Sequence, residues 1–153
     1  MCGVVRTILS AAVMGVLFAS PAIAQGACSL LSRAEAKPFA PNPSVFDMIP
    51  PSEEPVGKGT SCNFPGIFIQ IDPFAFSVID AERKKPGEKF ETVPGVGDAA
   101  YARENTRSDD AEIYFRVGQR VATIQLGIPV GSSYAAVKPR LVDLAKVLAA
   151  KLK

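Results

Sequence analysis

Histidine is absent from the 153 residues of this chain, and its absence narrows the chemistry that the sequence can support. Without histidine there can be no Ser-His-Asp or Cys-His nucleophile and no zinc site that uses an imidazole. The candidates that remain are the cysteines Cys28 and Cys62, a glycine-rich segment and a few carboxylates. No set of acids and cysteines has the spacing of a metal site. We therefore expect no catalytic residues, no metal and no cofactor.

The most conspicuous motif is the glycine-rich segment 93–101 (VPGVGDAAY). Its residues Gly95, Gly97 and Ala100 match the G-x-G-x-x-A pattern of a dinucleotide-binding loop. Such a loop follows a buried strand and opens a helix, whereas this segment follows Pro94 and leads into a strand pattern. We therefore reject nucleotide binding by this segment.

The same segment predicts a tight turn. Either Gly95 or Gly97 would adopt a positive φ, and the Asp98 side chain would accept backbone N–H bonds. Tyr101, Tyr114 and Phe115 could line a small-molecule cleft, although aromatic residues at strand spacing belong more often to the core. The candidate binding loop consists of Gly95, Gly97, Asp98 and Tyr101.

The acidic residues raise one enzymatic hypothesis. Asp98 could act with Asp109, Asp110 or Glu112 as the pair of carboxylates that a glycosidase uses. Nothing in the sequence brings these side chains together. The segment 104–110 is polar or charged throughout, and we expect it to be an exposed loop.

Residues 1–24 have the pattern of a secretory signal peptide. Arg6 precedes an apolar run, and Pro21 interrupts that run before Ala-Ile-Ala at 22–24. The run is about a dozen residues long, whereas a transmembrane helix needs about 20. We predict cleavage after Ala24 and a periplasmic or secreted bacterial protein without a transmembrane segment.

Cleavage would remove Cys2 and leave the pair Cys28 and Cys62. An even pair of cysteines in an oxidising compartment predicts one disulfide with a structural role. No Cys-x-x-Cys is present, which argues against a redox-active pair. The alternative is that Cys28 carries a lipid, as in bacterial lipoproteins, and Cys62 is a free thiol.

Three helices are predicted within residues 25–153, which we interpret as a single α+β domain. Ser32 and Glu35 form the pattern of a capping box for a first helix over 29–37. An Asp-Pro pair followed by Pro-Gly indicates a second helix over 72–85. Apolar residues at three- and four-residue spacing predict a C-terminal helix over 133–153.

Five strands are predicted from alternating apolar residues. Their ranges are 59–64, 67–71, 98–103, 112–117 and 120–128. Residues 74–79 could instead prolong the second strand. The fold class is therefore α+β, an antiparallel sheet of about five strands covered by the N-terminal, middle and C-terminal helices.

Between residues 38 and 55 the chain contains six prolines. This density predicts an extended loop with no regular element, which Phe39, Phe46, Met48 and Ile49 should pin to the core. A loop of this length could form a binding lip, but a cover over the core is the favoured interpretation.

Three motifs occur in order over most of residues 28–150: CSLLSxxE at 28–35, Ser61-Cys62, and VPGVGDAAY at 93–101 with FRVGQ at 115–119. Together they resemble small uncharacterised exported bacterial envelope domains of the mycobacterial-lipoprotein type. The resemblance implies a PsbP-like α+β fold, a Cys28–Cys62 disulfide and residence in the envelope. It implies no established reaction. Two features depart from the family: Pro38 shortens the first helix, and no lipid-acceptor cysteine precedes Cys28.

The expected function follows from export, the cysteine pair and the poverty of catalytic groups. Cleavage removes Arg6 and no acidic residue, so the net charge falls from +2 to +1, which predicts no nucleic-acid partner. We expect a non-enzymatic exported protein that binds a small ligand or an envelope component. The alternative is a protein-directed inhibitor or immunity-type factor that inserts the loop 104–110 into its target.

Overall fold

The computed structural model describes residues 26–153. The predicted signal peptide and its cleavage site lie outside the described residues. Seven strands occur in this part of the chain: β1 Ser52–Val56, β2 Gly59–Phe64, β3 Ile67–Ile71, β4 Glu91–Thr92, β5 Ala99–Asn105, β6 Asp110–Val117 and β7 Arg120–Gly127. They form one sheet in the order β1-β2-β3-β7-β6-β5-β4, and every neighbouring pair is antiparallel.

The predicted α+β class and antiparallel sheet are confirmed, but the sheet has seven strands and not about five. The additional strands, β1 and β4, are its two edges. β1 contains Pro55, which has no N–H to donate, and an edge strand tolerates this because only one of its sides is paired. β4 has two residues, too few for an alternating pattern to be recognised. The five predicted strands correspond to β2, β3, β5, β6 and β7.

The helices are α1 Ala27–Leu30, α2 Arg33–Ala36, α3 Pro43–Met48, α4 Ser77–Glu82 and α5 Tyr134–Lys151, with a 3-10 turn at Lys37–Phe39. The predicted C-terminal helix is α5, and Ser133 caps it by accepting the Ala136 N–H. None of the helices between residues 26 and 153 is long and apolar enough to cross a bilayer.

The predicted first helix is interrupted, and its capping box explains why. Glu35 N–H donates to Ser32 Oγ at 3.3 Å, and Ser32 N–H donates to the Glu35 carboxylate at 2.9 Å. This box starts α2 separately from α1. Lys151, at the end of α5, lies 2.6 Å from the same carboxylate. Its hydrogen bond, with those from Ser32, lowers the pKa of Glu35 to about 2.

The proline-rich segment is not the irregular loop that we predicted. Asn42 caps α3, and Pro43 occupies its first turn, where a missing N–H costs nothing. Phe46 of α3 is buried and stacks on Phe64. The predicted core contacts of Met48 and Ile49 are wrong, because these side chains are 77% and 51% exposed.

The second helix begins later than predicted, at Ser77. Asp72 adopts a positive φ of 53° and does not cap a helix. Its carboxylate accepts the backbone N–H of Val121 at 2.8 Å and pairs with Arg120 at 2.5 Å. A contact with β7 therefore fixes this residue, and the chain turns before α4 starts.

One face of the sheet packs against α5. Alternate residues of the central strands, such as Ile113, Phe115 and Ile124, are fully buried there. The buried side chains of α5 are Val137, Leu141, Leu144, Ala145, Leu148 and Ala149. The alternation predicted for β6 and β7 is thus confirmed, and this face holds the main core.

The opposite face of the sheet carries a second, smaller cluster. Tyr114 and Val121 of the central strands are buried beneath Phe76 and Ile79, which belong to the segment that leads into α4 and to α4 itself. Because α4 has only six residues, it covers part of this face. The uncovered part is where the candidate site lies.

A disulfide joins α1 to β2. Cys28 and Cys62 have their sulfurs 2.01 Å apart and their Cα atoms 4.9 Å apart. Cys62 is fully buried, next to the main core. A sulfur in this bond is not available for the thioether of a lipid anchor, so the structure favours the predicted pairing over lipidation of Cys28.

Candidate functional site

The glycine-rich segment forms the predicted tight turn before β5. Gly95 and Gly97 both have positive φ, at 77° and 56°. A Cβ atom at Gly97 would collide with the carbonyl oxygen of Arg116. Glycine is therefore required at this position both by the backbone conformation and by the close approach of β6.

Asp98 ties this turn to the neighbouring one. Its backbone N–H donates to the Arg116 carbonyl at 2.7 Å, and its carboxylate accepts the Gly118 N–H at 2.7 Å. The predicted role of the Asp98 side chain as an acceptor of backbone N–H bonds is thus confirmed. The consequence is structural: Asp98 fixes the turn between β6 and β7.

A cleft of about 720 Å³ opens beside the turn between β6 and β7. Its walls come from three parts of the chain: the turn between β1 and β2, the segment after β3, and the turn between β6 and β7. The lining residues are Gly57, Lys58, Asp72, Pro73, Phe74, Ala75, Phe76, Ser77, Arg116, Gly118, Gln119 and Val121. None of the four predicted loop residues lines the cleft directly.

Tyr101 nevertheless supports one wall of the cleft. Its ring stacks on Phe76 with centroids 5.7 Å apart and planes 18° apart. The guanidinium of Arg83 lies 4.5 Å from the Tyr101 centroid, and that of Arg116 lies 5.9 Å from the Phe76 centroid. Stacking and cation–π contacts of this kind fix side chains in one orientation. The cleft is therefore preformed on this side.

A network around a buried carboxylate lies further along the same face of the sheet. Glu112 is 2% exposed and accepts hydrogen bonds from Arg103 at 2.8 Å, Asn105 at 2.8 Å, Tyr114 at 2.5 Å and Gln125 at 3.1 Å. Four donors satisfy this carboxylate, and the charge of Arg103 balances it. A satisfied network of this kind specifies how strands pack and leaves no reactive group unpaired.

The same contacts shift the pKa values of two groups in the network, Tyr114 and Arg103. Burial, and then the hydrogen bond to Glu112, raise the pKa of Tyr114 well above its usual range. Burial opposes the charged form of Arg103, but the hydrogen bonds and charge interactions with Glu112 and Tyr114 together outweigh it, and the pKa of Arg103 is raised. Both groups therefore keep their protons at neutral pH.

A second cavity, of about 520 Å³, lies beside this network. Its charged lining residues are Glu82, Glu88, Glu104, Lys89, Arg103 and Arg107. Acids and bases are balanced there, and the Arg103 guanidinium is already bound by Glu88 at 2.8 Å. This cavity offers less apolar surface than the first, and we do not assign a ligand to it.

The carboxylates of the hydrolase hypothesis do not meet. Asp98 lies at the end of the sheet that holds the turn between β6 and β7, whereas Asp110 begins β6 at the other end. Glu112 is committed to its network. Between residues 26 and 153, no group of three or more Cys, Asp or Glu side chains is placed to hold a metal ion.

The predicted loop 104–110 is a short turn of the β5–β6 hairpin. Asp109 adopts a positive φ of 53°, and Asn105 accepts the Arg107 N–H through its side chain at 3.1 Å. The loop is exposed, as predicted, but it is shorter, because Glu104 and Asn105 belong to β5 and Asp110 begins β6. It does not project as a long inhibitory loop would.

No pattern in the sequence predicts the cleft itself. Phe74 and Phe76 fall in the segment predicted as a helix or a strand extension, and Arg116 falls in the strand predicted over 112–117. Their proximity depends on Asp72, whose bond to Val121 spans 49 residues of sequence. The one local signal was the cluster of aromatic residues at 74–76, directly after a strand.

Comparison with known proteins adds no further constraint: no family model, curated protein or solved structure matches this chain.

Proposed function

We propose that this protein is a non-enzymatic binding protein. It holds a small organic molecule in the cleft beside the β6–β7 turn, which Asp98 fixes. The observation that carries the proposal is the cleft's aromatic wall. Phe76 is fixed by Tyr101 behind it, and Phe74 lies beside it at the cleft. Preformed apolar walls with a few polar groups are the common design of small-molecule sites.

The volume and position of the cleft support this function. A cavity of about 720 Å³ falls within the range of roughly 300 to 1,000 Å³ that is typical of ligand pockets. Gly118 and Gln119 of the β6–β7 turn line the cleft, and the Asp98 carboxylate holds that turn in place by accepting the Gly118 N–H. Of the predicted loop residues, Gly97, Asp98 and Tyr101 thus support the site, and ligand contacts come from Phe74 and Arg116.

The absence of catalysis is part of the proposal. Asp72, the carboxylate that lines the cleft, is bound by Arg120 and by the Val121 N–H, so it is not placed to act as a base. No histidine exists in the chain. Binding without turnover is the function that this set of groups supports best.

The test is a matched pair of tryptophan variants. Ala75 is exposed and lines the cleft, and Ala150 is exposed on α5. Ala75→Trp should fill the cleft and abolish binding of 2-naphthoate and its neutral amide in titration calorimetry, while Ala150→Trp should bind as the wild type does. Binding that survives Ala75→Trp, or no binding of either probe by the wild type, would contradict the proposal.

Export to the periplasm or beyond belongs to the same proposal, as does the PsbP-like form of the α+β fold. The Cys28–Cys62 disulfide supports export, because such bonds persist in oxidising compartments. The intact mass of the protein from its native envelope tests it. A mass that begins at Gln25 and lacks two hydrogens is expected. An uncleaved chain that begins at Met1 would contradict export, and acyl chains on Cys28 would contradict the disulfide.

A further inference from the structure

Two cations line the cleft without acidic partners. Among the ion pairs formed by residues 26–153, none includes Arg116 or Lys58. The other charged group in the lining is Asp72, and Arg120 neutralises it at 2.5 Å. The cleft therefore has a positive balance, although the whole chain is close to neutral.

The exposed side chain of Arg116 lies beside the aromatic wall. Its guanidinium lies 5.9 Å from the Phe76 centroid, and the Phe76 ring is itself stacked on Tyr101. An arginine oriented by an aromatic ring loses less entropy when it binds a planar anion than a free surface side chain does. The cation and the apolar wall thus lie side by side, within reach of one small molecule.

Asp98 carries a negative charge near this end of the sheet, but it neither lines the cleft nor forms an ion pair with Arg116 or Lys58. Its carboxylate accepts the N–H of Gly118, on the turn that follows Arg116 in the chain. Lys58 lies on the turn between β1 and β2, and its backbone N–H bonds to the Asp72 carbonyl. This bond fixes the Lys58 backbone beside the cleft, and its side chain forms none of the ion pairs of the described residues.

We propose that the ligand of this cleft is a flat organic anion, with an apolar ring or planar group against the half-buried Phe74 and an oxyanion group bound by Arg116 and Lys58. This inference rests on the proposed function and deepens it by naming the class of ligand. Carboxylates and phosphate monoesters share the required chemistry, since the planar guanidinium binds both through paired hydrogen bonds.

The experiment compares three probes that share one ring: 2-naphthoate, 2-naphthyl phosphate and the neutral 2-naphthamide. Calorimetry on the wild type should show that the two anions bind about tenfold or more tightly than the amide, because a hydrogen bond to a charged group adds this much. Raising the salt concentration should weaken binding of the anions and leave the amide unchanged.

The variants assign the effect to residues. Arg116→Gln should lower the affinity for both anions about tenfold, to near that of the amide, and leave the amide's affinity as it was. Lys58→Gln should act in the same direction with a smaller loss, because its ammonium is flexible. The matched control is Arg107→Gln, an exposed arginine at the opposite end of the sheet, which should change nothing.

The outcomes separate the two proposals. If all three probes bind the wild type equally well, the ligand class is wrong while the binding function stands. The ligand class is also wrong if Arg116→Gln lowers the affinity for the amide as much as the affinity for the anions. If no probe binds, the binding function fails, and the ligand class fails with it. A preference for only one of the two anions identifies the oxyanion group.

Discussion

The two faces of the sheet differ in the way they bury their side chains. The face against α5 is filled by aliphatic and aromatic residues such as Phe115, Ile124 and Leu144, all fully buried. The opposite face buries Glu112 and Thr123 in addition to apolar groups. Its cover is the short α4 with the segments around it, which leaves the cleft open.

This difference indicates how the two faces divide their roles. A continuous apolar layer is the main source of folding free energy, because burial of apolar area contributes most of it. The opposite face needs hydrogen bonds to compensate its buried polar groups, and it gains less from burial. The face with the smaller cluster can therefore hold a binding site that the main core does not depend on.

The largest expected effect separates the two faces directly. Phe115→Ala should lower the free energy of unfolding by about 4 kcal/mol, because it leaves a cavity in a fully buried layer. Phe74→Ala, at the half-buried wall of the cleft, should lower it by about 1 kcal/mol. Urea denaturation measures both. Similar losses for the two variants would contradict the division between the faces.

Removal of the disulfide should have the second largest effect on the free energy of unfolding. The bond closes a loop with a sequence separation of 34, and the chain-entropy model gives about 3 to 4 kcal/mol for such a loop. Cys28→Ala with Cys62→Ala should reduce the free energy of unfolding by this amount. The probe affinity of the folded double variant should stay unchanged, because the bond lies away from the cleft. A loss of probe affinity in that variant would contradict this expectation and show that the cleft depends on the disulfide.

An effect of pH is expected from the polar face. The pKa of Tyr114 is higher in the folded protein than in the unfolded chain, so the native state keeps a proton that the unfolded state loses. Stability should therefore fall as the pH rises above about 10, the usual pKa of tyrosine. In Tyr114→Phe the free energy of unfolding should fall less steeply with pH. The slope should be smaller by about 1.4 kcal/mol per pH unit, which is the contribution of one titrating proton.

Denaturation at a series of pH values between 8 and about 11.5 measures this slope. Asn105→Ala is the matched control, because it removes a hydrogen bond to Glu112 without removing a titrating group. It should lower stability equally at every pH. An unchanged slope in Tyr114→Phe would show that Tyr114 is not the source.

The smallest predicted effect concerns the turn that supports the cleft. Asp98→Asn weakens the bond from Gly118, which is made to a charged carboxylate at 2.7 Å. The loss of stability should be about 1 kcal/mol. Thermal or urea unfolding measures it. A variant that keeps full stability would mean that Asp98 does not brace the β6–β7 turn.

Local patterns were enough to predict much of the fold. The hairpin of β2 and β3 was marked by Pro65-Gly66 and by alternating isoleucines, and α5 by its apolar spacing. The edge strand β1 was not predicted, because a proline such as Pro55 usually interrupts a strand. An edge strand tolerates proline, since one of its two sides has no partner strand. The start of α4 was wrong because a distant partner, Val121, fixes Asp72.

The site was only partly predictable for the same physical reason. The positive φ of Gly97 and the acceptor role of Asp98 followed from their residue types, but the partner of Asp98 is Gly118, which lies 20 residues away. The cleft brings Lys58, Phe74 and Arg116 together from three separate segments. Their proximity depends on strand order, in which β3 pairs with β7, and no local pattern contains that information.

The most direct test of the central claim is a map of amide chemical shifts in the ¹⁵N-labelled protein as 2-naphthoate is added. The claim places the ligand on the face opposite α5, at the end of the sheet that Asp98 braces. The amides of Phe76, Gly118 and Gln119 should shift most, and those of α5 and the β5–β6 turn should not move. Shifts centred on α5 or on the β5–β6 turn would contradict it.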